Sequence, residues 1–329
     1  GAWTFIAIHS TFLGPATGGT RMKYYPDPAA ALEDALRLAA GMTFKFAVPG
    51  IARGGGKAVI STPKSLDPES RGELLRRHGT LIRQLAGLFY TGPDVGTSSA
   101  DMDLIAETGS PYVFCRTTES GGAGSPAPFT ALGVLAGMEV ASKHAFGDSS
   151  LKHRKILVQG VGSVGGLLVQ HLRNAGADVL FTEVDDRLIK HFRDEVGLQF
   201  VALEEVYQTE CDIFAPCALG GIINETTIPK LKCRVIAGAA NNQLAKSADA
   251  VVLRAKGILY APDYVINVGG AMASPAVETQ GWSYSFAERE VANSVRSALQ
   301  RIFAMADSAD ISTDEAAHRI AEEHLSKAG

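Results

Sequence analysis

Four cysteines are spread over 329 residues, and no two of them form a CxxC pair. Cys115, Cys211, Cys217 and Cys233 therefore suggest neither a zinc framework nor a disulfide scaffold. The eight histidines are scattered without metal-ligand spacing, and no metal is expected. Cys211 and Cys217 bracket the apolar run Cys-Asp-Ile-Phe-Ala-Pro-Cys, which reads as a core strand, so reduced, buried thiols and a cytoplasmic location are expected. A basic surplus is missing too. The net charge is −4, which argues against nucleic acid as a partner. No apolar run approaches the roughly 20 residues of a membrane span, and the first residues carry no signal-peptide pattern. Repeats, low-complexity tracts and long charge blocks are absent as well. What remains is an ordinary globular balance, 46% hydrophobic and 20% charged, in a chain long enough for two domains.

Glycine is plentiful, and its placement is informative. Lys45 closes the run Gly-Met-Thr-Phe-Lys45, and Lys57 closes Arg53-Gly-Gly-Gly-Lys57 ahead of an apolar strand. Missing side chains let a small ligand reach backbone N–H groups and an ammonium together. Low-dielectric surroundings can bring a lysine toward neutrality, where it acts as a base. A solvated lysine on a glycine loop is the bland alternative. Asp94 follows Gly-Pro at a strand end, where it can either shuttle a proton or cap the helix starting near Ser98.

A second signal lies further on. Lys155-Ile-Leu-Val-Gln-Gly160 reads as a buried parallel strand, Gly160-Val-Gly162-Ser-Val-Gly165 opens a helix to about residue 175, and residues 176–183 form a second strand ending in Glu183. This is a dinucleotide-binding fingerprint in its required context of strand, glycine turn, helix and strand. Gly160 suits the tight turn, Gly162 the approach of a pyrophosphate, and Gly165 close helix–strand packing. Ser163 and Val164 belong to the same loop, and Val184 follows the acid. Glu183 can accept from ribose hydroxyls and would repel a 2′-phosphate, so NAD is favoured over NADP.

Between these signals the chain alternates strand and helix, an α/β pattern. Strands are expected at 4–9, 57–61, 89–91, 198–202, 211–215, 233–238 and 258–260. Residues 14–19 read as a glycine-rich turn. Helices are expected from Asp27 (N-cap, with Pro28 at N1) through Leu32, Leu36, Leu38 and Met42, then at 69–86, 101–107, 129–146, 286–306 and 313–327. The Gly/Ser/Pro cluster at 119–128 suggests an interdomain connection. The expected division is a catalytic, substrate-binding and oligomerisation domain over 1–128, a Rossmann domain over 129–285, and C-terminal helices over 286–329 packing partly back on the first domain. Small residues after apolar strands, Cys217-Ala218-Leu219 and Ala239-Ala240-Asn241, sit where ligands bind in open α/β sheets. Asn267 precedes paired glycines at an expected helix start.

Taken together, the runs Gly-Pro-Ala-Thr-Gly-Gly-Thr-Arg21-Met, Gly-Met-Thr-Phe-Lys45, Gly-Gly-Gly-Lys57, Thr-Gly-Pro-Asp94-Val, Gly-Gly-Ala-Gly-Ser, Phe-Ala-Pro-Cys-Ala-Leu-Gly, Ala-Gly-Ala-Ala-Asn-Asn and Tyr-Ala-Pro-Asp-Tyr-Val-Ile-Asn-Val-Gly-Gly resemble the Glu/Leu/Phe/Val amino-acid dehydrogenase family, in its leucine, valine and phenylalanine branch. The resemblance implies two domains with the active site in the cleft between them. It implies that Lys45 binds the substrate carboxylate beside the Gly18-Gly19 backbone, that Lys57 is the catalytic lysine, and that Asp94 moves protons at the substrate nitrogen. Thr130 and Asn241 would orient the nicotinamide carboxamide, with Asn267 beside substrate and cofactor. Thr17, Gly92, Ala271 and Ser274 map to the side-chain pocket.

The implied reaction is NAD-dependent oxidative deamination of an apolar L-amino acid to its 2-oxo acid and ammonia, and the reverse, by a homo-oligomer. Small pocket residues, Gly92 above all, lean toward phenylalanine. Leucine or valine is the alternative, and a specialised 2-oxo acid or imine a further one; a non-catalytic NAD-binding regulator fits the lysine–aspartate set poorly. Three features depart from the family pattern: Arg53 ahead of the glycine triplet, Glu183 in place of aspartate, and a short N-terminus.

Overall fold

A computed structural model describes residues 1–327. The chain divides into two compact units, one of residues 1–126, 271–287 and 321 onward, the other of 127–270 and 288–320. The first crossing falls inside the expected 119–128 connection. Beyond it the division differs from three successive blocks, because the C-terminal segments alternate between the units.

In the first unit, four strands line up in the order β1-β3-β2-β4. They are β1 (Trp3–Ser10), β2 (Ala16–Tyr24), β3 (Gly54–Thr62) and β4 (Phe89–Pro93). β1 runs antiparallel to β3, and the other pairs are parallel. β2 corrects the expected turn at 14–19: only Gly14 and Pro15 precede the strand, and Thr17, Gly18 and Gly19 lie within it. The glycines serve close strand approach there, since a Cβ on Gly18 would lie 1.8 Å from the Gly56 carbonyl oxygen.

Helix α1 (Pro28–Ala47) begins at Asp27, whose side chain accepts from the Ala30 N–H at 2.8 Å. Its buried stripe is Ala31, Ala35 and Ala39, while Leu32 and Leu36 are exposed. The alanines let the helix lie close against Ala7 and Val59 of the sheet. Helices α2 (Pro68–Gln84) and α3 (Ser99–Gly109) cover the other face, where Leu75, Ile82, Met102 and Ile105 pack on Ala58 and Ile60. Strand alternation therefore places Lys57 on the α1 side with Val59.

The second unit holds helix α4 (Ala127–Phe146) and a six-stranded parallel sheet. Its strands are β5 (Lys155–Gln159), β6 (Asp178–Thr182), β7 (Gln199–Phe200), β8 (Ile213–Pro216), β9 (Val235–Ile236) and β10 (Leu259–Tyr260), in the order β10-β9-β8-β5-β6-β7. Helix α5 (Ser163–Asn174) links β5 to β6, and the short α6 (Asp186–Lys190), α7 (Ala248–Ala255) and α8 (Asp263–Ile266) follow. The strand order reverses on either side of β5, which makes its carboxyl end the switch point of a doubly wound sheet. Helices α9 (Gly269–Gln280), α10 (Tyr284–Ala309) and α11 (Thr313–Lys327) each contain a point where the chain changes unit.

Candidate active site and dinucleotide loop

β3 carries Lys57, and β4 ends at Asp94. The Lys57 ammonium donates to Asp94 Oδ1 at 2.8 Å, with the lysine side chain only 6% exposed. An opposite charge is thus in direct contact with the Lys57 ammonium. Asp94 does not cap the next helix; Ser98 does, in a reciprocal capping box with Asp101. That frees the Asp94 carboxylate, whose Oδ2 accepts from Arg21 Nε at 2.7 Å. Burial alone would raise the Asp94 pKa, but the adjacent charges of Lys57 and Arg21 outweigh it and hold the group well below the usual carboxylate range.

Arg21 is in turn held by Asp34 of α1 at 3.0 Å, and Asp34 also accepts from Tyr25 and from Arg37 at 2.7 Å. In the sequence Arg21 lies within the run Gly-Pro-Ala-Thr-Gly-Gly-Thr-Arg21-Met, and no motif marks Asp34 or Tyr25. Their joint position could not be read from sequence, since the Arg21–Asp94 contact spans 73 residues.

Around this pair the floor is bare backbone. A Cβ on Gly19 would lie 2.6 Å from the Pro93 carbonyl oxygen and 2.9 Å from the Asp94 Cβ. Lys45 lies in the last turn of α1, and Thr17 is fully buried, its hydroxyl on the Pro15 carbonyl. Ser274 on α9 is fully buried beside Cys115, whose thiol burial pushes up to about 12; Ala271 is half-buried three residues earlier. Gly92 corrects the enlarged-pocket expectation. A Cβ there would lie 2.3 Å from the buried ring of Phe114, so the volume the glycine vacates is filled by that ring. Arg53 is buried with its guanidinium 5.2 Å from the centre of the Tyr90 ring.

In the second unit, Gly160 turns at φ +90°, and a Cβ on Gly165 would lie 2.0 Å from its carbonyl oxygen. Gly162 caps α5 without a side-chain bond, and nothing lies within 4 Å of where its Cβ would be. Ser163 and Val164 then open the helix, whose first N–H groups form a cradle suited to a pyrophosphate. The Glu183 carboxylate accepts from the Val161 N–H at 2.9 Å and the Val184 N–H at 2.7 Å, which fixes the acid beside the loop. Val184, after β6, and Leu219, after β8, are exposed apolar side chains beyond the two strands that flank β5, with Cys217 and Ala218 directly after β8.

Asn267 donates to Asn241 Oδ1 at 2.7 Å and to the Ala239 carbonyl at 3.0 Å, while its own Oδ1 is buried without a partner. The Thr130 hydroxyl accepts from the Gly270 N–H. Buried Asp263, which sequence reasoning passed over, accepts from the Asn242 and Gln243 N–H groups and so holds the loop after Ala240. The glycine cradle, the acid beside it and the orphaned amide oxygen together fit a nicotinamide dinucleotide. No cluster of metal-ligating side chains occurs among the described residues, nor any helix long and apolar enough to cross a membrane.

Comparison with known proteins identifies the family of the chain. Residues 2–110 match the model of the Glu/Leu/Phe/Val dehydrogenase dimerisation domain, and 180–328 match that of the Glutamate/Leucine/Phenylalanine/Valine dehydrogenases. The chain is 44% identical to a leucine dehydrogenase of Geobacillus stearothermophilus, over 99% of this chain and 87% of that one. It is 42% identical to a valine dehydrogenase of Streptomyces albus, over 98% and 88%. Among solved structures, L-tryptophan dehydrogenase from Nostoc punctiforme superposes with a TM-score of 0.83 at 39% identity, covering 99% of this chain and 92% of that one. The chain therefore belongs to the Glu/Leu/Phe/Val dehydrogenase family and is an amino-acid dehydrogenase whose cofactor is NAD.

Proposed function

We propose that the protein oxidatively deaminates a branched-chain aliphatic L-amino acid, leucine or valine, to the 2-oxo acid and ammonia, and runs the reverse reductive amination. The observation that carries the chemistry is the buried Lys57–Asp94 pair over a glycine floor. The choice of substrate rests on the leucine and valine dehydrogenases at 44% and 42% identity, and on the Phe114 ring that refills the space beside Gly92. The Phe114 ring takes up the room that Gly92 suggested, one of the grounds for the lean toward phenylalanine.

In this reading Lys45 holds the substrate carboxylate beside the Gly18-Gly19 backbone. Thr130 and Asn241 orient the nicotinamide carboxamide, and Asn267 lies beside both ligands. NAD, when bound, would supply the acceptor for the Cα hydride. Asp94 first accepts a proton from the substrate ammonium, so that the free amine can release that hydride and become an iminium. Lys57 then takes a proton from the water that adds to the iminium carbon, Asp94 returns its proton to the nitrogen, and ammonia leaves as the hydroxyl proton passes to solvent and the carbonyl forms. A homo-oligomer belongs to the same reading, supported by the dimerisation-domain match over residues 2–110.

The 39% identity to a tryptophan dehydrogenase favours a second reading, a large aromatic substrate. NAD reduction across a panel of L-amino acids at alkaline pH separates the two. A kcat/KM for leucine or valine at least tenfold above tryptophan and phenylalanine is expected. An aromatic substrate in first place would install the second reading.

A further inference from the structure

We propose that Arg21 is a positioning residue that fixes Asp94 as a carboxylate with one working oxygen, Oδ1, and that Asp34 anchors Arg21 for this task. The proposal rests on the reading of Asp94 as the group that exchanges protons with the substrate nitrogen.

The geometry divides the carboxylate in two. Oδ2 is taken by Arg21 Nε at 2.7 Å, and Oδ1 faces Lys57 at 2.8 Å. Arg21 cannot swing away easily, because its Nη1 donates to Asp34 at 3.0 Å, and Asp34 is fixed by Tyr25 and Arg37. The side chains of Arg21 and Asp34 are 15% and 12% exposed, so this is a partly buried network. The Asp94 N–H donates to the Thr97 hydroxyl, which holds the backbone of the same residue.

The two cations on Asp94 differ in kind. From β3 comes Lys57, whose charge must vary if it activates water. From β2 comes Arg21, whose guanidinium stays charged throughout any working pH range. If Lys57 were the only partner, loss of its proton would leave a buried carboxylate without a counter-charge, and burial would then favour the protonated acid. Arg21 removes that coupling, so Asp94 is a carboxylate again each time it has passed its proton on, whatever the state of Lys57. Its second role is geometric: a carboxylate pinned at Oδ2 cannot rotate, so Oδ1 alone meets the nitrogen.

The test uses the purified full chain with Arg21→Gln, Arg21→Lys and Asp34→Asn. Titration of the Asp94 carboxyl, followed by 13C NMR with Asp94→Asn assigning the signal, needs no turnover. In the parent protein no Asp94 titration is expected above pH 4. In Arg21→Gln the group should titrate at least one pH unit higher than in the parent. With the preferred amino acid, Arg21→Gln should lower kcat at least thirtyfold and shift the acidic limb of the kcat profile upward, with KM for NAD within about twofold. Arg21→Lys should restore the titration but only part of kcat, because a point charge lacks the Nε–Oδ2 geometry. Asp34→Asn, which keeps both charges on Asp94, should lower kcat about tenfold. An Asp94 signal that stays put in Arg21→Gln, or a kcat within twofold of the parent, would overturn the proposal. A parent protein that turns over no amino acid would instead sink the proposed function, while the titration would still report on Arg21.

Discussion

At Gly92 a missing methyl group and a phenyl ring share one place. Read from the sequence, the glycine means room; in the fold, Phe114 occupies that room. Gly92→Ala should therefore act first as an overpacking change, destabilising the protein by about 1–3 kcal/mol in denaturant unfolding. Phe114→Leu in the same chain should relieve it, giving a coupling of about 1 kcal/mol or more in a double-mutant cycle. Additivity within about 0.5 kcal/mol would mean that the ring yields freely. Single residues were legible wherever the chemistry sat in contiguous sequence, as with Lys57 behind its three glycines or Glu183 after its strand. They were not legible where a role depends on a partner far along the chain. Arg21 meets Asp94, and Phe114 covers Gly92, only after β2, β4 and the segment following α3 have come together.

Among the elements, β2 differs from its sequence reading, while α1 forms where Asp27 and Pro28 indicate it. Glycines in sequence suggest a turn, but in the middle of a crowded sheet they mark strands whose neighbours leave no room for a Cβ. Alanines on the inner face of α1 allow the close approach that sets Asp34 against Arg21. The glycine loop of the second unit was legible because strand, turn and helix follow one another directly.

The α2 helix adds a pH-sensitive contact. His78 is completely buried, its Nε2 3.1 Å from the Thr20 hydroxyl, and Thr20 contacts Thr91 at 2.8 Å. Burial lowers its pKa from the ordinary 6.5 to about 4. The unfolded chain then binds the extra proton between these values, so this contribution is fully present above pH 6.5 and fades as pH falls toward 4. Its size is about 3 kcal/mol. Asp94 adds nothing to that window, because its depressed pKa matters only at lower pH. His78→Gln should flatten the loss of melting temperature between pH 7 and pH 4 relative to the parent. An unchanged slope would show that other groups govern acid unfolding.

For the whole molecule, composition and motif order were enough to indicate an α/β chain of two units carrying different halves of one chemistry. Linear reading could not show how the C-terminal helices are shared. Residues 271–287 and 321 onward belong with the lysine-bearing unit and 288–320 with the dinucleotide unit, a division set by packing and unmarked by any linker composition. The proposed function involves both units: the Gly160–Gly165 loop would hold NAD, while Lys57 and Asp94 would carry the proton chemistry. The most direct measurement is NADH formation from NAD and leucine or valine at alkaline pH by the parent protein, Lys57→Ala and Asp94→Asn, with NADH affinity measured in parallel by fluorescence. Turnover in the parent, a loss of at least a hundredfold in each variant, and NADH dissociation constants within about twofold of the parent are predicted. Turnover surviving in Asp94→Asn or Lys57→Ala, or its absence from parent protein that binds NADH, would contradict the account.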